Sequence, residues 1–309
     1  MASATHSRTS VVVSISSDLA IAVVKVIVAA ITGSSAMISE AIHSSVDSFN
    51  SIFLLVGERA SRRPPDRDHP FGHGKEIYFW TLMVAVSIFA GGGGISIYEG
   101  VVHLVHPRPV EHSPWSYVVL GVAAACEIWA TVTAYREYRG DTLREAGLWR
   151  SFRASKDLTT FAVLFENGAA LLGVGVAFAG ILATRLTGNP SFDAAASILI
   201  GAMLAIVAVL LIRESKGLLI GESINPVAAA QIRAAVGATR EVEEVLKLMT
   251  MQTGAREALL LMDVRFRNDL TAARLVDVID ELERLVRQLY PDVTRIFIEA
   301  DRIVGQRPQ

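Results

Sequence analysis

The sequence holds one cysteine, Cys126, in 309 residues. That excludes an internal disulfide framework and a thiolate metal cage. Histidine is also scarce: seven occur and His112 is the last, so nothing beyond it can offer an imidazole ligand. There is no basic tract and the formal net charge is −2, which leaves nothing to grip a nucleic acid backbone. No His-Glu-x-x-His signature occurs, and no grouping of Ser, His and Asp suggests a nucleophile. An intramembrane metalloenzyme therefore has little to stand on. The N-terminal MASATHSRTS is polar and runs straight into an apolar stretch without a small-residue cleavage site, so no removable signal peptide is expected.

What the chain has in excess is apolar residues, 51% of the total, concentrated before Arg213. Six apolar segments stand out by length and flanks: 11–32, 37–57, 78–102, 116–135, 159–183 and 194–212. Each approaches the ~20 residues that carry a helix across a bilayer. The last has no charged residue, but the others are striped. Asp18 and Lys25 lie seven apart in the first, Glu127 is in the fourth, and Glu166 with Asn167 is in the fifth. Polar stripes in lipid must turn inward, which suits a transport bundle better than simple anchors. Asp18 and Glu127 are the candidates to neutralise Lys25 or to line an access path.

Loop charge orients the spans. The loops at 58–77 and 136–158 contain eleven Lys or Arg, whereas the opposite side has only Arg108 and Arg185. The positive-inside rule puts both basic loops, and with six spans both termini, in the cytoplasm. Gly91–Gly94, mid-way through the third segment, reads as a site of close helix packing, with a hinge as the alternative.

After Arg213 the composition becomes that of a soluble domain. A short helix over Pro226–Val236, strands over Val245–Met251 and Ala258–Phe266, a helix capped by Asp269 or Thr271, and a strand over Val293–Ala300 are expected. The second helix would bury Leu275, Val278, Ile279, Leu282, Leu285, Val286 and Leu289. The predicted fold is an all-α six-helix transmembrane bundle (1–212) followed by a small α+β cytoplasmic domain (213–309) of αββαβ, ferredoxin-like order.

Two constellations carry chemistry. In the second segment Glu40, His43 and Asp47 fall on one helical face. A His and an Asp one turn apart can hold a divalent metal, or form a polar packing cluster without one. In the basic loop, Asp66, His69 and His73 can close around a divalent ion, with Asp68 spare, or the prolines and glycines dictate a turn whose histidines are merely solvated.

Taken together, the intramembrane His43-x-x-x-Asp47, the loop Asp66-x-x-His69-Pro-Phe-Gly-His73-Gly-Lys75, six spans and an αββαβ tail resemble the cation diffusion facilitator transporters, over residues 11–301. Ser155–Glu166 and Ile97–Gly100 resemble the branch that includes mitochondrial-type zinc transporters. The resemblance implies a homodimer in a lipid bilayer that exports a divalent metal, usually Zn²⁺, against protons, with no prosthetic group. It assigns His43 and Asp47 to half of the transport site, and Asp66, His69 and His73 to a loop metal site. The positions that normally complete the transport site fall on Val163 and Asn167, with Glu166 one place earlier. His43, Asp47, Glu166 and Asn167 form a more oxygen-rich set than usual, which favours zinc less strongly over Mn²⁺ or Fe²⁺. Lys75 takes the place of a cation near the dimer contact, with Glu222 a partner, and Glu299 and Asp301 stand where the tail can bind more metal or simply face solvent. A metal-sensing or scaffold protein that does not transport is the reading from another class. The membrane expected is a bacterial cytoplasmic one.

Overall fold

The computed structural model describes residues 19–107, 114–139 and 158–301. Asp18 and the basic loop beyond Arg139 lie outside them. Helix α1 spans Leu19–Thr32. It stops where Gly33 turns left-handed at φ 64, a conformation that favours glycine, and the Gly33 amide closes the last turn on the Ala29 carbonyl at 2.9 Å. Helix α2 runs Ser35–Ser61, α3 Glu76–Val105, α4 Pro114–Arg139, α5 Leu158–Thr187 and α6 Ser191–Ile220. Among the described residues three stretches are both long and apolar enough to cross a membrane: Glu76–Val105, Leu164–Thr187 and Ser191–Ile220. At 1.5 Å per residue, the two of 30 residues reach about 45 Å, more than a hydrocarbon core of about 30 Å.

Helix α2 is less apolar than these three because of what it buries. Ser39, Glu40, His43 and Asn50 are at most 1% exposed, while Phe49 and Ile52 face outward at 62% and 44%. The other helices likewise show Val23, Ile27, Val122 and Ile206 on their surfaces. An apolar exterior around a polar seam is the polarity of a chain whose solvent is lipid.

The glycine run is where α3 leaves α-helical geometry: Ile88–Ile95 is π-helical. The widened turn sits against α6, where a Cβ on Gly93 would press on Ala205 at 3.2 Å and one on Gly201 would lie 2.8 Å from the Gly93 carbonyl. Close packing is therefore accompanied by a π-turn, a departure that Gly tolerates because no side chain crowds it. Helix α2 is cross-bonded to the same pair. The Ser39 and Ser197 hydroxyls are 2.6 Å apart, and Ser197 donates to the Ser96 carbonyl at 2.8 Å. At the far end of α2, the buried Asp193 carboxylate of α6 accepts from Ser34 Oγ at 2.6 Å, the Ser35 amide at 2.6 Å, Ser35 Oγ at 2.9 Å and the Ala36 amide at 3.4 Å. The carboxylate thus takes the first two amides of α2, while the helix's own N-cap Ser34 accepts from the Met37 amide at 3.1 Å.

The second compact unit joins Ala60–Glu76 to the chain from Gly217 onward. Its helix α7, Pro226–Gly237, begins with Asn225 accepting from the Val227 amide. Strands β1 (Val242–Gly254) and β2 (Glu257–Phe266) pair antiparallel, and after helix α8 (Ala272–Leu289) strand β3 (Val293–Asp301) pairs parallel to β2. The sheet is mixed, in the order β1-β2-β3. Of the two expected caps, Thr271 is the one used, accepting from the Arg274 amide, whereas Asp269 pairs with Arg267 at 3.1 Å. Val278, Leu282 and Val286 fill the core. Leu289 does not: at the end of α8 it is 46% exposed, because the helix runs past the edge of what it covers.

Candidate functional site

On α2, residues 40, 43, 47 and 50 project within a stripe about 80° wide at 100° per residue. The structure turns that stripe into the bundle. His43 Nδ1 lies 3.2 Å from Asp47 Oδ1, but the two are not aligned for a hydrogen bond. Across from them Glu166 on α5 is 8% exposed and its carboxyl is within hydrogen-bonding reach of Asp47. The side chain that aims Glu166 is Asn50, whose Nδ2 donates to Glu166 Oε1 at 2.7 Å. Asn50 was missed in the sequence, although its place one turn beyond Asp47 was the available signal. Asn167 is half-buried and takes no part in these contacts, so of the two adjacent candidates Glu166 is the one that meets Asp47.

Both His43 nitrogens, Asp47 Oδ1 and Asn50 Oδ1 are buried with no hydrogen-bond partner. Leaving such groups unsatisfied costs roughly 1–3 kcal/mol each. An imidazole, two carboxylates and an amide oxygen converging in one place have the donor chemistry of a divalent-cation site. Glu40 is differently engaged. Its Oε2 is 3.0 Å from the buried Lys25 ammonium, so among the described residues Lys25 is paired with Glu40. The pairing crosses the turn at Gly33, which brings α1 back along α2. Glu127 on α4 is near enough for its charge to act on Asp47.

The second constellation is in the loop between α2 and α3. Asp66 Oδ1 accepts from the amides of Asp68 and His69 at 3.0 and 2.7 Å, an Asx turn that folds the loop on itself. His73 Nε2 meets Asp66 Oδ2 at 2.9 Å, His69 Nδ1 lies 3.3 Å from Asp66 Oδ1, and the two imidazole rings are 4.3 Å apart. One ligand atom from each of Asp66, His69 and His73 falls within 4.8 Å of the others. The hydrogen bond from His73, with those from the backbone, holds the Asp66 carboxyl down to about 2. The Asp66 carboxylate is thus ionised and stands beside both imidazoles before any ion arrives. Asp68 is exposed and stands outside the cluster. The loop is fastened to the C-terminal domain: Arg295 donates to the Pro70 carbonyl at 2.9 Å and stacks on Phe71 at 5.1 Å, and a Cβ on Gly74 would collide with the Thr253 carbonyl.

Residues 11–220 match the cation efflux transmembrane domain. The chain belongs to the cation efflux, or cation diffusion facilitator, family. Its relatives are named as transporters rather than enzymes. The mitochondrial proton-coupled zinc antiporter SLC30A9 of Xenopus laevis is 38% identical over 197 residues, 63% of this chain and 35% of that protein. Metal tolerance protein C4 of Arabidopsis thaliana is 35% identical over 200 residues, 63% of this chain and 43% of its own length. The chain thus spans less than half the length of these relatives. The manganese efflux system protein MneP of Bacillus subtilis is 23% identical over 308 residues, 96% of both chains. In this cation efflux protein Lys75 Nζ lies 3.4 Å from the Leu219 carbonyl and 3.7 Å from Met251 Sδ, beside the segment that carries Glu222. Glu299 and Asp301 are exposed on β3, in register with Asp263 and Arg265, and belong to no cluster of three ligand-type side chains among the described residues.

Proposed function

We propose that this protein exports a divalent metal ion from the cytoplasm in exchange for protons, with Zn²⁺ the first substrate. The observation that carries the reading is the buried set of unsatisfied acceptors on His43, Asp47 and Asn50, closed from across the bundle by Glu166. A bare dication in hydrocarbon is prohibitively costly, and the formal charges of Asp47 and Glu166 match it. His43 binds metal only as the neutral imidazole, and carboxylates only when ionised, so protons and metal compete for the same atoms. Metal loads from the cytoplasm, and protons arriving from the other side release it. We read residues 1–212 as six spans with both termini in the cytoplasm and 213–309 as the cytoplasmic domain of a homodimer. Asp66, His69 and His73 serve as a regulatory or loading site beside that domain. The alignment with MneP along nearly the whole of both chains supports a bacterial cytoplasmic membrane.

Manganese is the second reading, favoured by the same alignment and by an oxygen-rich ligand set. Flux of Zn²⁺, Mn²⁺ and Fe²⁺ into proteoliposomes, with and without an opposing proton gradient, separates the two. Proton-driven zinc flux abolished by Asp47→Ala is the expected result. Flux of manganese or iron alone would move the assignment to that ion. Absence of flux for every metal would leave a sensor or scaffold, and retained flux in Asp47→Ala would displace the site.

A further inference from the structure

Lys25 is a charged group in the bundle core that the transport scheme leaves unused. Its side chain is 1% exposed, and it donates to Glu40 Oε2 at 3.0 Å and to Ser44 Oγ at 2.7 Å. Both partners are on α2, flanking His43. A buried lysine is costly unless paired, and here the pairing is to the very helix that carries the metal ligands. Its charge acts on His43 and Asp47 alike. Glu40, fully buried, uses only one oxygen for Lys25. Its Oε1 has no hydrogen-bond partner and lies over Gly173 of α5, where a Cβ would sit 2.7 Å from it. Gly173 is two turns along from Glu166 on the same helix. Lone-pair atoms therefore continue past the Asp47 and Glu166 pair, through His43, to Glu40, between the same two helices.

We propose that Glu40 is a second station for the transported divalent ion, and that Lys25 is a tethered cation that keeps the ion from resting there. The proposal depends on the transport site assigned above. Three carboxylates (Glu40, Asp47 and Glu166) with one ammonium leave two negative formal charges, the number a single divalent ion neutralises. Without the ammonium the same cavity carries three, and it holds a dication too tightly to release. Without Glu40 the ammonium stands uncompensated beside His43 and repels the ion. A lysine with a purely packing role gives no such opposite signs.

The test is isothermal titration of the full chain in lipid nanodiscs with ZnCl₂ and with MnCl₂. It uses an Asp66→Ala/His69→Ala/His73→Ala parent, so that only the bundle site is read. Lys25→Met should tighten Kd roughly tenfold or more, and Glu40→Gln should loosen it by a similar factor, given close charges in a medium of effective dielectric about 20. The double variant Lys25→Met/Glu40→Gln should return to within roughly threefold of the parent, the compensation a double-mutant cycle isolates. Lys25→Arg, which keeps the charge, should hold the parent Kd and serves if Lys25→Met does not fold. Shifts of Lys25→Met and Glu40→Gln in one direction, no shift in either, or a loosened Kd in Lys25→Arg would overturn the proposal. If Asp47→Ala in the same parent leaves Kd unchanged, the transport site itself is wrong and this role falls with it. If Asp47→Ala abolishes binding but the opposite signs are missing, only the role of Lys25 falls.

Discussion

Replacing Asn50 with leucine tests whether Glu166 belongs to the transport site. Both side chains branch at Cγ, so the outline is kept, with bulkier methyls in place of the amide. What goes is the 2.7 Å hydrogen bond from Asn50 Nδ2 to Glu166 Oε1 and the unpartnered Asn50 Oδ1. A hydrogen bond to a charged group contributes about 1.5–3 kcal/mol. At 1.4 kcal/mol per factor of ten, metal affinity should fall about 10- to 150-fold. The assay is Zn²⁺ titration in nanodiscs with the loop ligands replaced, backed by proteoliposome flux and by a thermal melt to check folding. Asn167→Leu is the control and should stay within about twofold, because Asn167 makes none of these contacts. An unchanged affinity for Asn50→Leu, together with a large loss for Asn167→Leu, would refute the reasoning. It would return the amide ligand to the position that family resemblance alone suggests.

Asp193→Ala should cost about 3–5 kcal/mol, since it leaves two amides and two hydroxyls buried without their acceptor. A melting temperature within a degree of the parent in detergent would contradict that, whereas Asp193→Asn should recover part of the loss. Arg295→Ala should release the loop by about 1 kcal/mol through the lost Pro70 bond and the Phe71 stack. Faster amide exchange over residues 66–76, with the sheet unchanged, is the expected readout. Oxidative cross-linking of Ser39→Cys with Ser197→Cys should leave flux near the parent level, because those oxygens are already 2.6 Å apart. Flux lost on cross-linking and restored by reductant would show that α2 and α6 slide during transport.

What was legible in the sequence was what is local. Asp66, His69 and His73 sit within eight residues, and their Asx turn needs nothing from elsewhere. The face of α2 followed from helical spacing alone, and the strand and helix order of the tail from local apolar patterns and caps. The failures share a cause: each depends on a neighbour that chain order does not reveal. Glu40 was not seen as a partner of Lys25 because the return of α1 along α2 is a tertiary fact. Which of Glu166 and Asn167 meets Asp47 turned on the rotation of α5, and the contact to Glu166 comes from Asn50, a residue of another helix. Leu289 fits the apolar stripe of α8, but the stripe outlasts the surface it covers. The π-turn at Ile88–Ile95 follows from the contact with α6, and four glycines in a row do not announce it.

The cross-bonds among α2, α3 and α6 bear on how the machine divides. Asp193 fastens α6 to the head of α2, and the Ser39–Ser197–Ser96 chain laces both to α3. Of the four side chains of the proposed site, His43, Asp47 and Asn50 ride on this laced frame, while Glu166 rides on α5. The proposed site is therefore a seam between the frame and α5, and an ion held there would be its rivet. It would couple frame and α5 through charge. With protons in its place the seam would keep the Asn50–Glu166 hydrogen bond, and towards the other end of α5 the bond from the Asp193 amide to Thr184 Oγ1 at 3.1 Å. On the proposed transport reading, alternation would then begin at this seam rather than within the frame.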